Sequence, residues 1–149
     1  MKTPLLNITF VLALCLTHSC VNQTKEKKSQ LQTENEDSKS SSVQLNHGNR
    51  WSANPETTTG IETMISIMNS FEKKEEINAY KELSEELKIE FSTIFRKCTM
   101  TGEAHNQLHN FLLPIKDLLG SLDSPDLKEC KKIYFKLITD LKNYTTYFK

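Results

Sequence analysis

Hydrophobic and polar positions divide the chain into three parts with different patterns. A run rich in apolar residues covers positions 4–16, and a polar stretch rich in Lys, Glu, Gln and Ser covers positions 21–46. From about residue 55 onward, apolar residues recur at intervals of three and four, the spacing of one face of an α-helix. The pattern therefore predicts an apolar leader, a linker and a helical domain.

Four amphipathic stripes predict four helices. Asn54-Pro55-Glu56 is a start signal, because Asn accepts a hydrogen bond from a free backbone N–H, Pro suits the first helical position and Glu favours the positive end of the helix dipole. The four stripes are Ile61, Met64, Ile65, Met68 and Phe71; Ile77, Tyr80, Leu83, Leu87, Phe91, Ile94, Phe95 and Cys98; Ala104, Leu108, Phe111, Leu112, Ile115 and Leu118; and Leu127, Cys130, Ile133, Tyr134, Leu137, Ile138 and Leu141.

Short turns are expected between the stripes. The first two stripes are rotated by roughly 120° at 100° per residue, so a turn is expected near residues 72–76 although neither Gly nor Pro lies there. Thr101 is expected to cap the third helix, Gly120 to end it, and Ser124-Pro125-Asp126 to open the fourth. Pro114 lies inside the third stripe, where it should kink or break the helix.

Four helices with short connections predict an all-α fold, an antiparallel up-down-up-down four-helix bundle over residues 47–149. No stretch of alternating apolar and polar residues competes with this interpretation. A chain of 149 residues with a leader and a polar linker leaves room for one domain of roughly 100 residues.

Residues 1–19 have the features of a secretory signal peptide. Lys2 gives a charged start, and the apolar run is shorter than the roughly 20 residues that a membrane span needs. The segment ends Leu16-Thr17-His18-Ser19-Cys20, which resembles a lipobox with Thr where Leu is commonest. Cleavage there leaves a diacylated cysteine, so the sequence predicts a palmitate-bearing lipoprotein anchored through Cys20. The alternative is an ordinary cleaved signal that leaves Cys20 as a free thiol.

Residues 20–46 are expected to form a disordered, lipid-anchored tether. They contain almost no large apolar side chains, so ordering them would not be repaid by burial. A flexible coil of this length spans on the order of 30 Å. Val21 is not an inner-membrane retention residue, which favours an outer-membrane anchor facing the periplasm. The cell exterior stays open as the other side of anchoring.

Charge and glycine content argue against two classes of function. Lys and Arg number 19, as do Asp and Glu, and no segment concentrates Lys and Arg beyond the local mixture of Lys and Glu. Because phosphate contacts need a basic face, no nucleic-acid partner is expected. With 4 glycines, no nucleophile elbow, no phosphate-binding loop and no convincing acid–base pair, the sequence predicts a protein that is not an enzyme.

The chemically informative segment runs from Cys98 to His109. It contains a thiol, the thioether of Met100 and two imidazoles, of which His105 and His109 lie on the same side of the third helix. Sulfur ligands with imidazole suit Cu(I), while Cys with His suits zinc. We therefore expect Cys98, Met100, His105 and His109 to be ligands for copper or zinc. A zinc-peptidase helix is excluded, because Asn106 stands where the catalytic Glu is needed.

In an antiparallel bundle, the second turn shares one pole with the chain ends of the domain. That arrangement predicts a capped, aromatic-walled pocket beside the candidate ligands, formed by Trp51, Glu56, Glu62, Met64, Tyr144, Tyr147 and Phe148. Cys130 falls near the opposite pole, so a disulfide with Cys98 is not expected. The alternative to a metal site is that Cys98 is a small buried hydrophobe beside two boundary histidines.

Two segments carry a resemblance to a known family, and the resemblance covers roughly residues 47–149. They are Trp51-Ser52-Ala53-Asn54-Pro55-Glu56-Thr57-Thr58-Thr59-Gly60-Ile61 and Cys98-Thr99-Met100-Thr101-Gly102-Glu103-Ala104-His105-Asn106-Gln107-Leu108-His109-Asn110-Phe111-Leu112-Leu113-Pro114. Both resemble signature blocks of small, largely uncharacterised lipoproteins of the Bacteroidota. The resemblance implies a lipoprotein, for which an association with heavy-metal efflux has been suggested.

Three functions follow as hypotheses. The leading one is a non-enzymatic periplasmic metal binder that buffers copper or zinc or hands it on. The second is a helical interaction module of an envelope complex, with a protein partner and no metal. The third is a secreted four-helix signalling protein, prompted by the glycosylation sequons Asn22-Gln23-Thr24 and Asn143-Tyr144-Thr145.

Overall fold

The predicted helices form a helical bundle in the computed structural model, which describes residues 42–149. They are α1 (Pro55–Ser70), α2 (Ile77–Lys97), α3 (Gly102–Ser121) and α4 (Leu127–Lys142), followed by the one-turn α5 (Tyr144–Tyr147). No strand occurs within residues 42–149, so the all-α prediction is confirmed for this part of the chain. The predicted signal peptide, Cys20 and most of the predicted tether lie outside the described residues.

Of the helices between residues 42 and 149, none is both long and apolar enough to cross a bilayer.

Contacts with the bundle begin before residue 47, since Val43 packs against the core and the Gln44 N–H donates to Gln107 Oε1 at 2.7 Å. The Trp51 indole N–H in turn donates to the Gln44 carbonyl at 2.6 Å. The last residues assigned to the tether are therefore held on the bundle.

The N-cap residue of α1 makes other hydrogen bonds than the predicted one. Asn54 occupies the N-cap, but its side chain accepts no backbone N–H. Its Oδ1 accepts instead from the hydroxyl of Thr57 at 2.7 Å, and its Nδ2 donates to the Lys97 carbonyl at 3.1 Å. Thr57 is fully buried, and a buried hydroxyl needs a partner. The predicted capping bond is therefore wrong, and Asn54 links the start of α1 to the end of α2 instead.

The other predicted boundaries are close to the observed ones. Residues 71–76 connect α1 to α2, and Asp126 caps α4 by accepting from the Lys128 N–H at 2.9 Å. Thr101 occupies the N-cap of α3, but its side chain makes no capping hydrogen bond. Pro114 does not break α3, because the helix is held by packing on both sides of it, where Leu112 and Ile115 are buried.

Most residues of the four stripes lie in one core. Ile77 and Phe95 are the clear exceptions, with exposed fractions of 37% and 39%. Leu119 and Leu122 are buried although neither belongs to a predicted stripe. Between residues 42 and 149, three polar side chains are also buried: those of Thr57, Ser84 and Gln107.

Buried hydrogen bonds between helices fix how neighbouring helices are aligned along their axes. The Ser84 hydroxyl near the start of α2 donates to the Leu119 carbonyl near the end of α3 at 3.0 Å. The Tyr134 hydroxyl of α4 donates to the Met68 carbonyl of α1 at 2.6 Å. Such buried bonds fix the level at which neighbouring helices meet, because breaking one leaves an unsatisfied polar group inside the core.

Gly60 allows the close approach of α1 to α2. It is buried, and a Cβ added there would collide with Cγ1 of Ile94. Gly120 is also helical, yet a Cβ added there would meet nothing within 4 Å. The two glycines therefore differ in what they do for the fold, and they make a matched pair for substitution.

We predict opposite effects of alanine at these two glycines. Gly60→Ala should destabilise the protein by about 1–3 kcal/mol, because the core must shift to admit a methyl group. Gly120→Ala should be neutral or stabilising by up to about 1 kcal/mol, because alanine favours the helix. Urea unfolding followed by circular dichroism measures both. Equal effects at the two sites would contradict the assigned role of Gly60.

Candidate metal centre

The turn between α2 and α3 brings Cys98 next to the first turn of α3. Cys98 ends α2 with an extended backbone, and α3 begins at Gly102. Gly102 has a φ of +62°, the left-handed region that glycine enters without steric cost. The chain therefore reverses within a few residues, and the thiol comes back to the level of His105.

His105 lies between two chemically different neighbours. Its Nδ1 is 3.7 Å from Sγ of Cys98, and its Nε2 is 3.0 Å from Nε2 of His109. The two imidazole rings meet edge to face, with centroids 4.5 Å apart. The Nδ1 atom of His105 therefore faces a thiol, and its Nε2 atom faces a second imidazole.

The short distance between the two Nε2 atoms restricts where protons are held. At 3.0 Å one of these nitrogens donates and the other accepts, so the pair shares a single proton. Burial lowers the pKa of His109 from its ordinary value, and the neighbouring charge of His105 lowers it further. The edge contact between Phe95 and His109, with centroids 5.6 Å apart, covers part of the second ring. His109 is thereby favoured as a neutral imidazole, the form that binds metal ions.

The four predicted ligands do not converge on one point. Cys98 lies on the Nδ1 side of His105 and His109 on the Nε2 side, so one ion cannot contact all three through these atoms. Met100 is half-buried and packs against the core. In the part of the chain from residue 42 to 149, no group of three or more His, Cys, Asp or Glu residues is placed to hold a metal ion. The arrangement that the structure does provide is a pair of imidazoles.

The aromatic residues of the predicted pocket belong to the core or pack against it. Tyr144 and Phe148 are buried and stacked, with centroids 5.0 Å apart, and Phe111 meets both rings edge-on. The Trp51 backbone N–H donates to the Tyr147 carbonyl at 2.7 Å. Met64 is likewise fully buried in the core. These side chains are therefore part of the hydrophobic packing of the bundle.

The second cysteine of the domain has a structural environment. Cys130 is fully buried, and its thiol donates to the Ser124 carbonyl at 3.1 Å. Burial raises the pKa of this thiol, which keeps it protonated and unreactive. Cys98 and Cys130 are both free thiols.

Two features next to the histidines were missed by the sequence analysis. Gln107 is buried in α3, where it donates to Glu103 Oε1 at 2.8 Å and accepts from Gln44. Phe95 was assigned to the core, yet it is partly exposed and lines a groove between α2 and α3. The sequence contained a sign that Phe95 is partly exposed. It is adjacent to Ile94 in the same stripe, and only one of two adjacent residues points directly into a helical core.

No family model, curated protein or solved structure matches the chain. The functional interpretation therefore depends on the residues themselves and on the geometry of the histidine pair.

The lowered pKa of His109 predicts a pH-dependent contribution to stability. The unfolded chain binds a proton at this residue below the ordinary value of 6.5, while the folded state resists it, so stability should fall as the pH drops below 6.5. His109→Gln removes this contribution. The free energy of unfolding of that variant, measured in urea between pH 5 and pH 7.5, should vary less with pH than that of the parent protein. An unchanged pH dependence would contradict the assignment.

Proposed function

We propose that the protein is a lipid-anchored lipoprotein of the cell envelope, whose helical bundle uses His105 and His109 to bind a borderline metal ion. Zinc and copper are the candidates, because imidazole suits both. The observation that carries this proposal is the 3.0 Å distance between the two Nε2 atoms. Buffering the ion or handing it to another carrier is the corresponding role, with no catalytic step.

The geometry of the histidine pair suits a shared ion. Zinc binds imidazole nitrogen at about 2.0–2.1 Å, which places two ligands about 3.3 Å apart at the tetrahedral angle. A small ring movement from 3.0 Å reaches that separation, with the ion in place of the shared proton. Because the spacing is four residues on one helix, both nitrogens are positioned by the same rigid element.

Two protein ligands leave coordination positions open. Structural zinc sites are closed by four protein ligands, whereas an open site accepts water or an incoming ligand. Such openness supports exchange of the ion with another carrier more than permanent retention. Cys98 would bind the same ion only after the His105 ring rotated so that its ion-binding nitrogen faced the thiol. Cu(I) is the ion that would favour such a rotation.

The up-down-up-down arrangement is part of this proposal. It is supported by contacts that run in opposite order along neighbouring helices: Ser84 with Leu119, Phe95 with His109, Met68 with Tyr134 and Thr58 with Tyr144. An antiparallel arrangement places the second turn, the start of α1 and the end of α4 at one pole, which accounts for the aromatic packing beside the histidines.

The envelope location rests on the N-terminal sequence. The lipobox-like ending at Cys20, followed by a polar stretch, supports a lipid anchor with the bundle standing off the membrane. An outer-membrane anchor facing the periplasm fits Val21 after the lipidated cysteine. The resemblance to lipoproteins of the Bacteroidota supports the same location and agrees with a role in metal homeostasis.

A helical interaction module for an envelope protein is the second candidate. It is favoured by large apolar side chains on the bundle surface, above all Ile89 and Phe135, with exposed fractions of 69% and 59%. The two candidates differ in one property. A metal that binds the folded state must raise the apparent stability, by about 2.7 kcal/mol at a hundredfold excess over the dissociation constant, whereas a module without a metal site gains nothing.

The metal proposal predicts a specific pattern of variants. The full chain, with Cys15 and Cys20 replaced by Ser to remove N-terminal thiols, should bind one Zn(II) or Cu(II) in competition with chelators of known affinity. His105→Ala and His109→Ala should each abolish this binding, because neither imidazole alone chelates the ion. The exposed His47 gives the control variant His47→Ala, which should bind like the parent.

Cys98→Ser distinguishes the two geometries of the site. Binding should persist in this variant, because the thiol lies on the other side of His105. If Cys98→Ser lost the metal, the ion would be bound on the thiol side, and the two-nitrogen site would be wrong. If the parent bound no metal above the chelator background, the interaction module would be the remaining candidate.

The lipid anchor is tested by metabolic labelling in bacteria. Cells fed labelled palmitate should incorporate it into the parent protein and into Cys15→Ser, since Cys15 lies within the apolar run of the signal. Cys20→Ser should carry no label, because it lacks the thiol that is acylated. Label retained in Cys20→Ser would disprove the anchor.

A further inference from the structure

A groove between α2 and α3 lies next to the histidine pair and plays no part in the proposed metal site. It has a volume of about 530 Å³, within the range of roughly 300–1,000 Å³ typical of small-molecule pockets. Residues from one face of each helix line it: Lys88, Phe91, Ser92, Phe95, Lys116, Leu119 and Gly120. At one end it reaches Phe95, whose ring contacts His109.

The groove has an apolar floor and wall. Phe91 and Leu119 are buried at its base, while Phe95 is partly exposed above them. The rings of Phe91 and Phe95 lie with centroids 5.0 Å apart and form one continuous surface. On α3, exposed Leu113 lies one turn before Lys116 on the same helix face. This surface suits an aliphatic body better than a polar one.

The charges lining the groove have one sign. Its lining contains two lysines and no acidic residue. The Lys88 ammonium is 3.9 Å from a carboxylate oxygen of Asp123, and both side chains are well exposed, so this ion pair is weak. Within residues 42–149, Lys116 takes part in no ion pair. Lys88 lies between Ser84 and Phe95 on α2, and Lys116 lies between His109 and Leu119 on α3. Because Ser84 contacts Leu119 and Phe95 contacts His109, the two lysines lie at about the same height along the two helices.

Gly120 keeps the groove open. A Cβ added there would meet no heavy atom within 4 Å, so the glycine is not required for helix packing as Gly60 is. A larger side chain at position 120 would enter the groove without disturbing the core. The position therefore offers a way to fill the groove while the bundle stays intact.

We propose that this groove binds a small anionic amphiphile, a fatty-acid carboxylate. The carboxylate lies between Lys88 and Lys116, and the acyl chain runs along Phe91 and Phe95 toward His109. Charge complementarity supports this occupant over an uncharged or cationic one, and the volume of the groove matches a small molecule. The proposal is independent of the metal site, since neither imidazole nor Cys98 contacts the ligand's carboxylate.

The test is a calorimetric titration of the full chain with dodecanoate below its micelle concentration. The parent should bind one dodecanoate and should not saturate with dodecyltrimethylammonium. Lys88→Glu with Lys116→Glu should weaken dodecanoate binding by about tenfold or more, as loss of a charge-assisted contact implies. The matched control is Lys128→Glu with Lys142→Glu, exposed lysines of α4 outside the groove, which changes net charge equally and should leave binding unchanged.

Two further variants fill the groove from opposite helices. Gly120→Leu and Ser92→Phe should each abolish dodecanoate binding while retaining the helical circular dichroism spectrum, so the test does not depend on one variant folding. The proposal is overturned if both folded variants bind as the parent does, if the control pair loses as much affinity as the groove pair, or if dodecyltrimethylammonium binds equally well. Dimerisation that is weakened by Gly120→Leu, with no saturable dodecanoate binding, would assign the groove to a second copy of the chain.

Discussion

The rotation of α3 about its own axis determines the position of both candidate sites. Burial of Leu108, Leu112 and Ile115 against the core fixes that rotation, because turning the helix would expose large apolar surface. With these residues inward, His105 and His109 lie at the edge of the core, half-buried and one turn apart. The same rotation turns Lys116 and Gly120 toward the groove with α2. Core packing and candidate chemistry are therefore consequences of a single constraint.

The spacing of residues along a helix is enough to predict a pair of histidines on one side, but it does not predict which ring nitrogens meet. His105 and His109 come together as their spacing requires, since the helix itself determines the distance between their backbones. The position of Cys98 on the opposite ring nitrogen depends on the turn at Gly102 and on side-chain rotamers, which periodicity does not contain. The number of predicted ligand atoms that can face one ion therefore depends on this turn and on these rotamers, and residue spacing alone does not give it.

The helices were predictable because each combines a clear stripe with a local start or stop signal. The capping bond predicted for Asn54 is wrong, and α3 is not broken at Pro114. Asn54 bonds Thr57 and the end of α2 rather than a backbone N–H of its own helix, which depends on Thr57 being buried. Pro114 is tolerated because its neighbours are packed. In each case tertiary contacts overrode a local rule, and the sequence alone carries no measure of those contacts.

The pairing of the two ends of the domain has a mechanical consequence. Three backbone hydrogen bonds join residues before α1 to the last residues of the chain: Trp51 N–H to Tyr147, Lys149 N–H to Trp51 and Ala53 N–H to Lys149. Tension applied from the N-terminal side reaches these bonds before it reaches the first turn of α1. Phe148, whose ring is buried, belongs to the same paired segment. The three hydrogen bonds must therefore break, and this ring must leave the core, before α1 can unwind.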